Sequence, residues 1–291
     1  MKLVIACRVN SENLPEGPPP HRIRKNVLGG ANRNVASWIY AAISAVSPDG
    51  AGYATGIHGV KAPGQRAPGR IVKPFAFSLY GTSTGMNIQI RSASEEFAGW
   101  IRQAVADVTA LPVLDLRDSR GSGPVLKPEK IIESTYGKGL KIEMLQGNAP
   151  SGRPLFLARA RLFTLSPLVL KGKGEHLRLS EAAFSPEGDP AINSYVLANL
   201  LVKHLHSVNG GSNVPLEMLM EDRSLTVSFA RGAREGWTKV AGSVVPFIEG
   251  RFTLTTHPEL LYASLNNGIG ARTSLGFGMV ELHNDRKYSD E

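Results

Sequence analysis

Residues 268–278 have the sequence Gly-Ile-Gly-Ala-Arg-Thr-Ser-Leu-Gly-Phe-Gly and precede the strand-like segment Met279–Leu282. Glycine allows positive φ and a close approach to the backbone, so such a loop can cradle the phosphate of a nucleotide or of a nucleic acid. A dinucleotide-binding loop follows a strand and opens a helix. Here the order is reversed, because His257–Asn267 has the pattern of a helix with Pro258 in its first turn and Gly268 at its C-cap. This order favours a polynucleotide backbone over a bound nucleotide.

The charge of the chain also favours a polyanionic partner. Its 291 residues include 33 Lys and Arg against 25 Asp and Glu, which gives a net charge of +8 and a pI near 9.6. Such a balance is typical of proteins that bind nucleic acid, and it also occurs in basic proteins without such a partner. The single cysteine, Cys7, excludes intrachain disulfides and cysteine-based zinc sites, and its apolar surroundings predict a core position.

The composition and the N-terminus indicate a folded cytoplasmic protein. Hydrophobic residues make up 42% of the chain and charged residues 20%, which is ordinary for globular domains. The apolar run in Met1–Val9 is too short for a secretory signal, and no stretch is long enough for a membrane span. We therefore expect a cytoplasmic location and no membrane contact.

The hydrophobic periodicity of the first half predicts the order β-α-β-β-α-β, which is that of a ferredoxin-like domain. Ser94 is predicted to cap the second helix, because its side chain can accept a hydrogen bond from the first turn. The predicted elements are a strand ending at Val9, a helix over Asn34–Val46, strands over Ile71–Leu79 and Met86–Arg91, a helix after Ser94, and a short strand over Val113–Leu116.

The second half predicts nearly the same order. Its predicted strands are Ile131–Ser134, Leu140–Leu145, Arg153–Leu165, Ser224–Ala230, Val240–Leu254 and the last segment, with a hairpin over Val169–Leu179 and helices over Ala191–Val208 and after Pro258. We therefore expect an α+β fold with two tandem ferredoxin-like domains, residues 1–120 and residues 121–291, the second of which ends in the glycine-rich loop.

The glycine-rich loop resembles the C-terminal loop of the Cas-six family, the CRISPR-associated endoribonucleases of the RAMP superfamily. It has two Gly-x-Gly pairs with five residues between them, including Arg272. The segments Lys73–Ser78, Leu165–Lys171 and Asn199–Lys203 also resemble recurring pieces of that family in family order. The resemblance implies cleavage of CRISPR precursor RNA within each repeat, yielding guide RNAs that enter an interference complex.

Cleavage of RNA needs no metal, because the 2′-hydroxyl next to the scissile phosphate is itself a nucleophile. A protein then has to remove that proton, protonate the leaving 5′-oxygen and stabilise the charge on the phosphate. A histidine with one or two cations suits this task near neutral pH. The sequence shows no metal-ligand spacing, so we expect no metal and no cofactor, and products that end in a 2′,3′-cyclic phosphate and a 5′-hydroxyl.

Among the seven histidines, His58 is the predicted general acid or base. It lies between Gly56 and Gly59 with cations close behind it, and the catalytic histidine of the family stands at the matching place, after the first helix and before the second strand. A hydrogen-bonded loop histidine is the alternative, and His21 is the second choice. The other histidines have different predicted roles: His204 in the core, His257 as a helix cap, and His176 in a hairpin able to touch RNA.

Two further catalytic candidates rest on the resemblance. Some relatives add a tyrosine from the first helix and a lysine after the histidine, and Tyr40 and Lys61 stand at comparable places. Tyr40 could instead have only a packing role, and Tyr53 is an equally available candidate for the catalytic tyrosine. The role of Lys61 could fall to Arg66.

The predicted RNA-binding residues are mostly cations and glycines. Arg272 is expected to contact phosphate, and the hairpin Lys171-Gly172-Lys173-Gly174 could track the RNA or be a solvated turn. The full predicted set is Gly268, Gly270, Arg272, Gly276, Gly278, Arg66, Arg70, Lys171 and Lys173.

The expected partners are CRISPR repeat RNA, as part of the precursor transcript, and an interference complex, with the chain a monomer or a homodimer. The first alternative is a non-catalytic guide-RNA-binding subunit of the same superfamily. A nucleotide-dependent enzyme that uses the glycine-rich loop is an alternative of another class, and the helix-before-loop order argues against it.

Overall fold

The structure, a computed structural model of the chain, describes residues 1–9, 31–46, 75–81, 85–117, 125–134, 142–148, 152, 154–172, 175–207, 225–240 and 243–283. Its strands are β1 (Lys2–Val9), β2 (Phe75–Gly81), β3 (Gly85–Ser92), β4 (Leu114–Asp115), β5 (Val125–Ser134), β6 (Ile142–Asn148), β7 (Pro154–Thr164), β8 (Lys171–Gly172), β9 (Glu175–His176), β10 (Thr226–Phe229), β11 (Arg234–Val240), β12 (Ser243–Glu249), β13 (Arg251–Thr256) and β14 (Val280–Leu282). Its α-helices are α1 (Ala31–Val46), α2 (Glu95–Ala104), α3 (Pro190–Ser207) and α4 (Pro258–Asn267). Short 3-10 turns cover Val108–Ala110, Glu181–Phe184 and Thr273–Leu275.

The chain forms two compact units. The first consists of Met1–Thr135, Thr238–Val245 and Thr273–Gly276, and the second of Tyr136–Trp237, Pro246–Arg272 and Phe277–Glu291. The first unit thus extends beyond the boundary at residue 120 that we expected from the sequence. It also takes in two short segments from the second half of the chain.

The first unit is built on an antiparallel sheet with the strand order β2-β3-β1-β5-β4. In β1, alternate residues Leu3, Ile5 and Cys7 are buried, as the two-residue period of a strand requires. They pack with the inward face of α1, where Val35 and Ile39 are buried at helical spacing. The predicted core position of Cys7 is therefore confirmed, and burial raises the pKa of its thiol to about 12.

The fourth ferredoxin-like strand of this unit differs from the prediction. It is β5, which pairs with β1 from Lys2 opposite Ser134 to Val9 opposite Leu126. Val113–Leu116, the predicted strand, supplies only the two-residue edge strand β4. The sequence predicted only the second part of β5, Ile131–Ser134, and assigned it to the second domain, because Pro128 and several charged residues interrupt the apolar pattern of the first part. Pro128 is tolerated where the pairing with β1 shifts register.

The second unit repeats the ferredoxin-like topology. Its sheet has the order β10-β13-β7-β14, and β6 pairs with the first part of β7. The chain order β7-α3-β10-β13-α4-β14 is the predicted β-α-β-β-α-β, so the expected fold class of two ferredoxin-like domains is confirmed. The hairpins β8–β9 and β11–β12 are insertions.

One strand predicted in this unit is in fact two. The segment Val240–Leu254 divides into β12 and β13 at Gly250, which has a φ of 143°. A Cβ at Gly250 would lie 2.7 Å from Cα of Ala233, so the turn depends on glycine.

The predicted helix ends are confirmed. The amide of Phe97 donates to Oγ of Ser94 at 3.2 Å, and the amide of Glu259 donates to Nδ1 of His257 at 3.3 Å. Gly268 ends α4 with a φ of 72°, as a C-cap glycine does. Within the described residues, every helix is too short or too polar to cross a bilayer.

Candidate nucleic-acid interface

The glycine-rich segment, residues 268–278, depends on left-handed backbone. Gly268, Gly270, Gly276 and Gly278 have φ values between 72° and 89°, and Arg272 has a φ of 62°. Glycine adopts these angles freely, whereas a residue with a Cβ loses about 1–2 kcal/mol. Arg272 is exposed, so this conformation presents a cation to solvent in the middle of the segment.

Hydrogen bonds fix the segment to the stretch that follows β7. The amide of Ala271 donates to the carbonyl of Val169 at 2.7 Å, and the amide of Gly278 donates to the carbonyl of Pro167 at 2.8 Å. The amide of Ile269 donates across the segment to the carbonyl of Gly278 at 2.8 Å. The segment Leu165–Lys171, which the sequence singled out, therefore forms one wall of the glycine-rich segment.

Helix α3 supplies a second support through Asn199 and Lys203, which lie one turn apart. Nδ2 of Asn199 donates to the carbonyl of Gly270 at 3.2 Å, and Oδ1 of Asn199 accepts from the amide of Gly270 at 2.9 Å. Nζ of Lys203 donates to the carbonyls of Gly268 at 2.9 Å and Gly270 at 3.0 Å. The segment Asn199–Lys203 was also singled out in the sequence. Its physical role is to hold Gly268 and Gly270 through these hydrogen bonds.

The four glycines of the segment are buried, so their lack of a side chain serves packing within the protein. A Cβ at Gly270 would lie 2.6 Å from the carbonyl oxygen of Val169. A Cβ at Gly276 would lie 2.8 Å from the ring of Phe77 and 2.9 Å from Asn32. At these two positions protein atoms fill the space that a side chain would occupy. Direct contact of the glycines with RNA stays a prediction.

Three cations of this part of the chain act electrostatically on one histidine, and we call Lys171, His176, Arg178 and Arg272 the His176 cluster. Lys171 is paired with His176 across the β8–β9 hairpin. Burial lowers the pKa of His176, and the positive charges of Lys171, Arg272 and Arg178 lower it further. Lys171 and Arg272, which the sequence suggested separately, therefore act on the same imidazole.

The His176 cluster also contains Arg178, which the sequence did not single out. Arg178 forms an exposed ion pair with Glu235 at 3.1 Å, and its positive charge lowers the pKa of His176. Nδ1 of His176 is buried and has no hydrogen-bond partner within the described part of the chain. The arrangement is a basic surface able to hold a phosphodiester.

In the first unit, Tyr40 lies at the edge of the core. Its ring meets that of Phe75 edge-on, with centroids 5.6 Å apart. Burial raises the pKa of the Tyr40 hydroxyl, and its hydrogen bond with Ser274 opposes that shift. Tyr40 therefore keeps its proton at neutral pH and is suited to donate a hydrogen bond. Its catalytic role stays a prediction.

The remaining candidates divide into two groups. His204 is 2% exposed, so its predicted core position is confirmed, and burial lowers its pKa while Glu259, 4.0 Å away, raises it. The predicted residues that lie outside the described part of the chain are His21, His58, Lys61, Arg66, Arg70 and Lys173.

Lys203 could have been found from the sequence. Ile192, Val196 and Leu200 form a buried apolar stripe along α3, and Lys203 continues it at helical spacing. A lysine in such a stripe indicates a buried cation with a specific partner.

One family model matches a continuous part of the chain that includes most of the second unit. Residues 155–282, from β7 to the end of β14, match the family model described as "CRISPR associated protein Cas6, C-terminal". Among curated protein sequences, none matches the chain.

Solved structures resemble the whole chain. The product of a Cas6-related gene from Pyrococcus furiosus has a TM-score of 0.62 and 16% identity, with 98% of this chain and 99% of that chain covered. A RAMP protein described as binding different RNA substrates has a TM-score of 0.59 and 18% identity over 98% and 100%. A Cas6 product complex has a TM-score of 0.53 and 17% identity over 97% and 98%. At these identities the likeness establishes the double ferredoxin-like fold.

Proposed function

We propose that this chain, whose residues 155–282 match the C-terminal model of the Cas6 family, is a member of that family and a metal-independent endoribonuclease that cleaves CRISPR precursor RNA within each repeat. One observation carries the proposal: the His176 cluster gathers three cations beside a glycine-rich segment held in a single conformation. A group of positive charges of this kind is suited to bind the phosphates of an RNA backbone. The product of the reaction is a guide RNA, and the expected partners are repeat RNA and an interference complex. The chain acts as a monomer or a homodimer.

The proposed chemistry is an intramolecular transesterification. The 2′-oxygen forms a bond to the scissile phosphorus while the bond from phosphorus to the 5′-oxygen breaks. The proton of the 2′-hydroxyl passes to a base, and an acid gives a proton to the leaving 5′-oxygen. The fragments end in a 2′,3′-cyclic phosphate and a 5′-hydroxyl, and no water, metal or cofactor is consumed.

Three residues are proposed for these steps. His58 is the general acid or base, because an imidazole titrates in the right pH range. Lys61 stabilises the charge that develops on the phosphate. Tyr40, whose pKa burial raises, acts as a hydrogen-bond donor rather than as a base.

RNA binding is proposed to rest on cations. Arg272, Lys171 and Arg178 contact phosphates at the His176 cluster, and Lys173, Arg66 and Arg70 are proposed as further phosphate-binding cations. Since Gly270 and Gly276 have protein atoms where a Cβ would lie, we assign the four glycines the task of shaping the segment that carries Arg272.

A non-catalytic RNA-binding subunit is the second candidate. The His176 cluster fits this candidate as well, because cations bind RNA whether or not the RNA is cut. A protein of that kind binds repeat RNA tightly and leaves it intact.

A cleavage assay separates the two candidates. A 5′-labelled repeat RNA and an RNA of the same nucleotides in shuffled order are incubated with excess protein. We expect one cut in the repeat and none in the shuffled RNA. Tight binding of the repeat without a cut supports the non-catalytic subunit, and equal weak binding of both RNAs overturns the proposed function.

Replacing Arg272 with alanine is expected to weaken RNA binding by roughly tenfold near physiological salt. The slope of log K against log salt should also fall by about 0.7–0.9, the loss of one phosphate contact. The measurement is a titration of labelled RNA at several salt concentrations. Arg117→Ala is the matched control, because Arg117 is exposed and already pairs with Asp115. An unchanged slope in Arg272→Ala contradicts the phosphate contact.

A further inference from the structure

Lys203 is a buried cation on an otherwise apolar face of α3. It is 3% exposed and follows the buried residues Val196 and Leu200 at helical spacing. Burying an ammonium group there removes its hydration and costs free energy, whereas a methionine of similar length could be buried without that cost. Burial accordingly lowers the pKa of Lys203 to about 7. In the described part of the chain, Lys203 is paired with no carboxylate. The side chain therefore has to be explained by the hydrogen bonds that it makes.

Those bonds all reach the start of the glycine-rich segment. Nζ of Lys203 donates to the carbonyls of Gly268 and Gly270, and Asn199 bonds both the amide and the carbonyl of Gly270. Gly268 ends α4, so the bond from Lys203 also fixes the point where the chain leaves that helix. Two residues one turn apart thus determine the orientation of both peptide groups that flank Ile269.

Arg272 lies two residues further along. The amide of Ala271 is bonded to Val169, and the carbonyl of Arg272 accepts from the amide of Phe277 at 3.4 Å. Arg272, with its left-handed backbone, thus follows directly on two residues that are held in place, Gly270 by α3 and Ala271 by Val169. Its positive charge lowers the pKa of His176.

We propose that Asn199 and Lys203 are positioning residues, which together hold the glycine-rich segment in the conformation that presents Arg272 to an RNA phosphate. The presentation of Arg272 to an RNA phosphate rests on the proposed function. The effect of Asn199 and Lys203 on the position of Arg272 relative to His176 is independent of that function and can be measured without RNA.

The RNA-free test follows the pKa of His176 by NMR in the parent protein, Lys203→Met, Asn199→Ser and Arg272→Ala. The charged groups that act on His176 are Lys171, Arg178 and Arg272. Removing Arg272 raises the pKa of His176, since one nearby positive charge is lost. We expect Lys203→Met to raise it by a similar amount although Arg272 is still present. Lys130→Met, an exposed lysine of β5, is the matched control and should leave it unchanged.

The second test is a double-mutant cycle on RNA affinity. Lys203→Met should weaken binding by roughly tenfold, as Arg272→Ala does, and the double variant should be weaker than either single variant by less than about twofold. A purely structural role of Lys203 predicts that the two effects multiply. Asn199 is half-buried, so Asn199→Ser repeats both tests in a variant that keeps the packing of α3 if Lys203→Met fails to fold.

The outcomes separate the two claims. If the parent protein does not bind repeat RNA, the proposed function fails, while the response of His176 still decides whether Asn199 and Lys203 place Arg272. If the pKa of His176 is the same in the parent, Lys203→Met and Asn199→Ser, these two residues do not position Arg272 and the inference is overturned. Independent effects in the cycle overturn it as well.

Discussion

Replacing His58 with alanine is expected to lower the single-turnover rate of repeat cleavage by about 10²–10⁴-fold, the usual contribution of a positioned acid or base. RNA affinity should stay within about twofold, because one imidazole adds little to binding that rests on several cations. The reason is chemical: the 2′-hydroxyl has to lose its proton near neutral pH, and histidine is the side chain that titrates there. The measurement is a cleavage time course with excess protein, beside a binding titration.

Two controls make this result specific. His21→Ala removes the second-choice histidine, and His283→Ala removes a histidine at the end of the last strand. Both should cleave at the parental rate. If His58→Ala cleaves as fast as the parent and His21→Ala does not, the base has been assigned to the wrong residue.

Replacing Gly270 with alanine is expected to destabilise the protein by about 2–4 kcal/mol. The new Cβ would lie 2.6 Å from the carbonyl oxygen of Val169, and Gly270 has a φ of 89°. The clash and the backbone strain act together. If the backbone at residue 270 moves to relieve either of them, its hydrogen bonds with Asn199 and Lys203 break. RNA affinity should fall with stability, since Arg272 loses its support.

Gly99→Ala is the matched control for this substitution. Gly99 is exposed in α2, and apart from the backbone around it no atom of the described residues lies within 4 Å of the place that a Cβ would take. Alanine there should stabilise the protein by up to about 1 kcal/mol, because it restricts the unfolded chain. The measurement is the free energy of unfolding in urea. Equal values for the two variants would contradict the tight contact at Gly270.

Local signals in the sequence were enough for much of the fold. The helix after Ser94 and the helix after Pro258 were predicted with their caps, because periodicity and capping depend on neighbouring residues. The fourth strand of the first unit was predicted only over Ile131–Ser134 and was assigned to the second domain, since β5 gains its stability from pairing with β1, more than a hundred residues earlier in the chain. No local pattern reports such a pairing when Pro128 and charges interrupt the strand.

The candidate site was predictable in part for the same reason. Arg272 and Lys171 stand out in the sequence as cations next to glycines, yet their common partner His176 follows from the β8–β9 pairing. The role of Lys203 depends on carbonyls at Gly268 and Gly270, 65 and 67 residues later. Tertiary packing also decides that Gly270 makes room for protein atoms, which a glycine pattern alone does not reveal.

The central claim is that this chain cuts repeat RNA by attack of the RNA's own 2′-hydroxyl. The most direct test is cleavage of a labelled CRISPR repeat in EDTA, with analysis of the new ends. We expect one cut that leaves a 2′,3′-cyclic phosphate and a 5′-hydroxyl, and no cut when the nucleotide before the scissile phosphate is 2′-deoxy. Cleavage of the deoxy-substituted RNA, or cleavage that needs added Mg²⁺ and leaves a 3′-hydroxyl, would contradict the account.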